Sequence, residues 1–479
     1  MKTLRKTKIV CTIGPASQDR ETLKSLVLAG MNVMRMNFSH GAHEDHLDKI
    51  NKLRQINEEL NTNVALMLDT KGPEIRTHKF EFGGTTLIKD SLVRVSMSEV
   101  LGNSEVFSVT HANLINDVKV GGTILVDDGN VELTVVDKDF VKNHIICQVK
   151  NDAYVKDRRG INVPDVKLSL DFISPRDKAD IEFGCEQHVD FIAASFVRRA
   201  SDVLEIREIL KAKNTEDIQI VSKIENMEAV NNLDEIIAVS DALMVARGDL
   251  GVEVPAYEVP IIQKEIIQKG MIAGKPVIVA TQMLESMQKN PRPTRAEVND
   301  VATAVLSGAD AIMLSGETAA GLYPIESVKM MNQIATRMER EVKYEEFLDL
   351  IQNSKDHDIN SCIASSVVYA TNHLNASCII SPTLSGITAK RLSKYRPPVP
   401  IVAVTLDSKI MRSLALTWGV HPLKGEFLKT TDEVLEASIN ATTDAFGLEN
   451  GELTVIISNM PLDDTSTHSN MMKIHTIKK

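Results

Sequence analysis

Aromatic residues make up only 4% of the sequence, and a single tryptophan, Trp418, stands among them. Neither it nor the 19 methionines carries a functional reading, because core packing accounts for both. Cys11, Cys147, Cys185, Cys362 and Cys378 are scattered, with no CxxC pair among them. That spacing gives no zinc signal and no disulfide framework, and it suits a reducing, cytoplasmic compartment. Long apolar runs are missing, so no membrane span is expected. The basic opening MKTLRKTKIVCTIGP contains too short an apolar stretch for a signal peptide. Positive charge is in deficit: a formal net charge of −11 argues against general nucleic-acid binding, while leaving room for local basic pockets. No GxxxxGK[ST] or GxGxxG follows any apolar run, so a nucleotide would have to be held another way.

What is present is rhythm. The 479 residues imply roughly two to four domains. Short apolar runs that end in Gly, Asp, Ser or Thr alternate with amphipathic stretches such as SDVLEIREILKAK. The runs are TKIVCTIGP, MNVMRMNFSH, VALMLDTKG, FIAASFV, IQIVSKIE, ALMVARGDLG, PVIVATQM and AIMLSGETA. Such alternation predicts parallel strands with crossover helices, and these units form a (β/α)₈ TIM barrel over residues 1–72 and 159–338. Residues 73–158 break the pattern: they are β-rich, with DDGN (127–130) as a hairpin turn, and read as a small β-barrel lid domain inserted after strand three. Residues 339–479 read as a C-terminal α/β domain with strands in ASCIISPTLSG, VPIVAVTLD and GELTVIISN.

In such barrels the catalytic residues gather at the C-terminal ends of the strands. Those ends supply Arg35, Asn37, Ser39, His40, Asp69, Thr70, Lys71, Lys223, Glu225, Arg247, Asp249, Thr281, Ser315 and Glu317. Lys223 and Glu225 are two positions apart, so a strand turns both to one face with Ile224 opposite. Glu225 and Asp249 come from adjacent strands, and two carboxylates with vacant coordination positions suit Mg²⁺. Lys223 beside them is either a structural ion pair or a fixed cation for a transferring phosphoryl group or an enolate. Gly248 and Asp249 can open a helix whose free N–H groups hold an anion. Asn37, Ser39, Asp69 and Thr70 offer neutral oxygens with one carboxylate, which suits a cation of low charge; hydrogen-bonding caps would look the same. Arg35 and Arg76 could clamp phosphate oxygens.

The blocks KIVCTIGPAS, MNVMRMNFSHG, LDTKGPEIR, FIAASFVR, SKIENMEAV, ARGDLGVEV, ATQMLESM and PTRAEVNDVATAVLSGADAIMLSGETAAGLYP, in this order, resemble the pyruvate kinase family. The resemblance implies phosphoryl transfer from phosphoenolpyruvate to ADP through a Mg²⁺-stabilised enolate that is then protonated, giving pyruvate and ATP. It implies Lys223 at the phosphoryl group, with Arg35 and Thr281 as the other catalytic residues. Glu225 and Asp249 become Mg²⁺ ligands, with Mn²⁺ as an alternative ion. Asn37, Ser39, Asp69 and Thr70 become K⁺ ligands, Thr70 through its carbonyl. Substrate contacts fall on Lys223, Gly248, Asp249 and Thr281, and nucleotide contacts on Asn37, His40, Arg76 and Arg159. Glu74 in TKGPEIR matches the K⁺-dependent members, so K⁺ dependence is expected. A homotetramer and a phosphorylated effector are also implied. SPTLSGITAK resembles the family's effector phosphate loop through Thr383, Ser385, Gly386 and Thr388; an ordinary helix cap is the plainer reading. Residues 461–470 stand where the family has a glycine-rich last loop, yet they contain no glycine. Asp463 and Asp464 there would repel a sugar bisphosphate, so weak or absent activation by fructose 1,6-bisphosphate is expected. The block after the inserted domain also departs, reading SLDFISPRD, with no catalytic residue lost. Two rivals stand beside this reading: a Mg²⁺-dependent lyase working through a pyruvate enolate, and a catalytically silent metabolite sensor.

Overall fold

The computed structural model describes residues 4–164, 166–353, 358–426, 430–459 and 469–478. Eight parallel strands close a barrel: β1 (Lys8–Thr12), β2 (Val33–Asn37), β3 (Ala65–Asp69), β4 (Phe191–Ala194), β5 (Gln219–Ile224), β6 (Ala242–Ala246), β7 (Val277–Ala280) and β8 (Ala311–Leu314). Each of the eight quoted runs supplies one strand. They are short and apolar because a parallel strand under crossover helices is covered on both faces. The pleat divides them cleanly. Val10, Val33, Met67, Val221 and Met244 fill the barrel interior, whereas Ile9, Cys11, Ile220 and Ile224 pack under the helices. Period-two alternation then places Arg35, Asp69, Lys223 and Glu225 on the inner face, each further along its strand than that strand's apolar filling.

After β3 the chain leaves the barrel and returns before β4. Between them lies a mixed seven-stranded sheet, bounded in sequence by Ile75–Arg76 and Gly160–Asn162, with a two-stranded ribbon beside it. It has its own core, including Val93, Phe107, Leu133 and Cys147. The turn Asp127–Asn130 joins Thr123–Val126 to Val131–Asp139, with Asp127 and Asp128 in the left-handed region at φ 56° and 55°.

The C-terminal domain carries a five-stranded sheet of β9 (Cys378–Pro382), β10 (Ile401–Thr405), β11 (Val420–Lys424), β12 (Leu453–Ser458) and β13 (Met471–Thr476), in the order β11-β10-β9-β12-β13. β13 alone runs antiparallel to its neighbour. This domain floors the barrel: Ala415 and Leu416 sit in the same apolar cluster as Val10 and Met67. Arg396 locks the junction, donating to both carboxylate oxygens of Asp310 at 2.9 and 2.8 Å. Among the described residues no helix is long and apolar enough to cross a membrane.

Candidate active site

At the mouth of the barrel the inner-face residues form one network. Arg35 Nε donates to Asp69 Oδ2 at 2.6 Å, and its Nη1 to Thr12 Oγ1 at 2.8 Å. Lys223 Nζ donates to Ser195 Oγ at 2.7 Å and to Asp69 Oδ1 at 3.2 Å, and lies 3.0 Å from Glu225 Oε1. Glu225 Oε2 accepts the Phe196 N–H at 2.6 Å. Glu225 Oε1 is buried without an aligned hydrogen-bond donor, although the Lys223 ammonium is close.

The charges do not balance. Asp69, Glu225 and Asp249 face Lys223 and Arg35, three carboxylates against two cations. Burial opposes the charge on Lys223, but Asp69 and Glu225 outweigh it and hold the ammonium above the usual lysine range. Burial likewise pushes Asp69 upward, yet Arg35 and Lys223 win and its carboxyl stays below the ordinary value. Glu225 moves the other way: burial lifts it, and Asp249 adds to that lift against the pull of Lys223. A buried carboxylate that shares its one nearby ammonium with Asp69 is short of cation and fits a divalent ion. Among the described residues no cluster of three or more His, Cys, Asp or Glu side chains forms a metal site. A two-carboxylate site is what Mg²⁺ accepts, since it keeps water and substrate oxygens in its shell.

Asp249 lies in the first turn of the helix Arg247–Glu253 that follows β6. Beside it, Gly248 N donates to Thr281 Oγ1 at 2.8 Å, and that hydroxyl donates to the Ala280 carbonyl at 2.6 Å. Thr281 has φ +66°, rare for a β-branched residue and typical of strain kept at working sites. Arg247 is a brace: it holds the Thr281 carbonyl at 2.5 Å and Asp300 Oδ1 at 2.7 Å. Glu317 is another, accepting from Leu284 N and Ser315 N at 3.0 and 2.8 Å.

The proposed monovalent-cation donors share the β2–β3 edge, where Asn37 and Asp69 are register partners. Asn37 Oδ1 accepts the Ser39 N–H at 3.0 Å, and the Thr70 carbonyl accepts the Ser195 hydroxyl at 2.7 Å. An all-oxygen set with one carboxylate fits an ion of low charge. Asp177, at the start of the helix Pro175–Glu186, steadies this loop by accepting from Lys71 N and Gly72 N, both at 3.1 Å.

Other sequence candidates stand apart from this network. The His40 side chain is exposed, while its carbonyl accepts from His46 Nε2 at 3.0 Å and its N–H donates to the Asn37 carbonyl at 3.3 Å. Arg76 pairs with Glu74 at 2.6 Å and with the Arg158 carbonyl at 2.8 Å, and Arg159 lies 3.4 Å from Asp127. They belong to the inserted domain's base and hairpin tip, which face the barrel: Asn162 Nδ2 donates to Glu253 Oε1 at 2.8 Å. Burial raises Asp128 at that tip, and the carboxylates of Asp127 and Asp249 add to the lift. In the C-terminal domain Thr383 Oγ1 accepts Gly386 N at 2.9 Å, a local cap on the helix Ile387–Lys394. Gly386 is at φ +78°, Ser385 is exposed, and the Thr388 hydroxyl meets Ser469 Oγ at 2.9 Å. Asp463 and Asp464 lie outside the described residues.

Ser195 was missing from the sequence candidates. The signal was available, because Phe191, Ala193 and Ser195 alternate on the inner face just as Val221, Lys223 and Glu225 do.

The family model described as "Pyruvate kinase, barrel domain" matches residues 4–328, and "Pyruvate kinase, alpha/beta domain" matches residues 361–475. The pyruvate kinase of Geobacillus stearothermophilus is 51% identical over 473 residues, 99% of this chain and 80% of that one. That of Staphylococcus aureus strain MRSA252 is 49% identical over 474 residues, 99% and 81% of the two chains. A crystal structure of a pyruvate kinase from Cryptosporidium parvum superposes with a TM-score of 0.93 at 37% identity, covering 98% of this chain and 96% of that one. With an eight-stranded barrel, an insertion after β3, an α/β domain as its floor and relatives matched along nearly the whole length, the chain belongs to the pyruvate kinase family.

Proposed function

We propose that the chain transfers the phosphoryl group of phosphoenolpyruvate to ADP, giving pyruvate and ATP, with Mg²⁺ and K⁺ as its ions. The observation that carries this reading is the inner-face network around Lys223, in which the buried Glu225 carboxylate shares its one nearby cation with Asp69. Glu225 and Asp249 would hold the divalent ion, and Asn37, Ser39, Asp69 and the Thr70 carbonyl the monovalent one. Such ions supply positive charge to the phosphoryl oxygens and to the enolate oxygen.

The chain's own groups do the rest. Lys223 is held as an ammonium by Asp69 and Glu225, so it is a fixed donor for the phosphoryl group in transit. Arg35, anchored on Asp69 and Thr12, presents a second cation. The bond between phosphorus and the enol oxygen breaks, and a terminal ADP oxygen forms the new bond. The enolate then takes a proton at carbon on the Thr281 side, from water or from a side chain, and that step draws the equilibrium to pyruvate. The N–H of Asp249, in the first turn of its helix, suits the substrate carboxylate, and Gly248 beside it would do so by giving up its contact with Thr281 Oγ1. His40, Arg76 and Arg159 would reach the nucleotide, and the inserted domain would exclude water, which otherwise competes with ADP. Glu74 is read as a mark of K⁺ dependence. Thr383, Ser385, Gly386 and Thr388 are read as a phosphate loop for an effector, and the assembly as a homotetramer.

The test is ATP formation from phosphoenolpyruvate, ADP and Mg²⁺, in KCl and in tetramethylammonium chloride. Activity only with K⁺ supports the reaction and the role of Glu74. Equal activity in both salts discards the cation argument, and no ATP in either favours the enolate lyase or the silent sensor.

A further inference from the structure

Ser195, at the end of β4, is 2% exposed and touches both halves of the proposed site. Its Oγ accepts from Lys223 Nζ at 2.7 Å, and its single proton has two acceptors, the Thr70 carbonyl at 2.7 Å and Asp69 Oδ1 at 3.1 Å. Its N–H donates to Thr70 Oγ1 at 3.1 Å. The main chain is equally fixed. A Cβ on Gly72 would fall 2.8 Å from the Ser195 carbonyl oxygen, and Phe196, at φ +56°, gives its N–H to Glu225. Two consecutive residues therefore hold Lys223, Glu225, Asp69 and Thr70 together. A methyl group would fill the same space, but only a hydroxyl can accept from an ammonium and donate to a carbonyl at once.

We propose that Ser195 is a positioning residue that ties Lys223 to the monovalent-cation site, so that filling one orders the other. This rests on the roles given to Lys223, Asp69 and Thr70 under the proposed function. Of the two acceptors, the Thr70 carbonyl is the nearer to the hydroxyl. Were that carbonyl to hold a cation, the hydroxyl proton would turn to its other acceptor, Asp69 Oδ1. Asp69 Oδ1, which already accepts from Lys223, would then be shared, and the ammonium would be freer to face the substrate.

Ser195→Ala keeps the Arg35–Asp69 and Lys223–Glu225 pairs and is the first variant to make. The K⁺ concentration for half-maximal rate should rise about tenfold, the worth of one charge-assisted hydrogen bond, with KM for ADP changed by less than about twofold. A second reading needs no turnover: the gain in melting temperature on replacing tetramethylammonium chloride by KCl, expected in the parent and largely lost in the variant. Ser195→Cys, a weaker donor of similar shape, should fall between them, and carries the same test should the alanine variant not fold. A variant that loses rate or stability while keeping the parental K⁺ response would make Ser195 merely structural and overturn the proposal. A parent that makes no ATP would overturn the proposed function instead, and the melting comparison would still judge the tie to the cation site.

Discussion

Lys223 is surrounded by acceptors rather than by solvent, and that defines what replacing it should do. Lys223→Met removes the donor proposed to face the phosphoryl group and leaves Glu225 buried without its nearest cation. The expected outcome is a fall in kcat of about 10²–10³, the usual cost of one preorganised electrostatic contact, together with a lower melting temperature. Lys223→Arg should not restore the rate, since a planar fork cannot meet the three acceptors of a compact ammonium. Steady-state ATP formation checks both, and a methionine variant within about threefold of the parent would remove Lys223 from the chemistry. Far below the site, Lys8 gives a pH signature. It is 3% exposed and donates to the Val420 carbonyl at 2.5 Å. Burial lowers its pKa to about 7 and Arg5 adds to that, against Glu339 and Asp310. Between about pH 7 and the ordinary lysine value of 10.5 the unfolded chain binds the extra proton, so stability rises with pH across that window. Lys8→Met should flatten this slope in urea midpoints measured as a pH series; an unchanged slope would acquit Lys8. At this scale the sequence named most of the network, because charge on the inner face at a strand end stands out. Ser195 escaped because a lone serine after two alanines resembles any strand terminus until its three partners are placed around it.

Loops and strand ends carry the next level of constraint. Gly72 sits at φ +73°, and the space where a side chain would start is taken by the Ser195 backbone. Gly72→Ala should therefore cost about 1–3 kcal/mol in stability, from overpacking and strained φ, and should raise the K⁺ requirement because the Thr70–Gly72 loop must shift. Chemical denaturation and K⁺ titration of the rate would show it; a stable variant with a parental K⁺ response would mean the loop yields freely. The eight barrel strands were legible because each joins a short apolar run to a polar end. β11 and β13 were not. Pro422 in VHPLK argues against a central strand, and the fold admits it only because β11 is at the sheet edge. β13 is a half-exposed edge strand whose apolar pattern is weak. The helix Pro175–Glu186 shows the same limit: SLDFISPRD looked like a mere junction, yet Asp177 within it fixes the Lys71–Gly72 loop beside the proposed cation donors.

Across the whole molecule one strand connects distant parts. β5 carries Lys223 near its upper end, while at its foot Gln219 Oε1 accepts from Lys390 Nζ at 2.7 Å, and Gln219 Nε2 donates to the Ser413 carbonyl at 2.9 Å. Lys390 lies on the helix Ile387–Lys394, which Gly386 opens. The C-terminal domain also supplies Ala415 and Leu416 to the interior cluster of the barrel, so barrel and floor share a core rather than meeting at a wet surface. Leu416 is 1% exposed. Leu416→Ala should cost about 2–5 kcal/mol, the range for a buried leucine whose cavity cannot collapse. The shared core adds a sharper expectation. Calorimetry should show barrel and C-terminal domain melting in one transition, and the substitution should shift that transition as a unit. Two resolved transitions, with only the C-terminal one moved, would mean that the floor docks on a barrel stable without it. In that case the contact between Lys390 and Gln219 would join two independent bodies, and a signal from the Gly386 helix would have to reach Lys223 by another route.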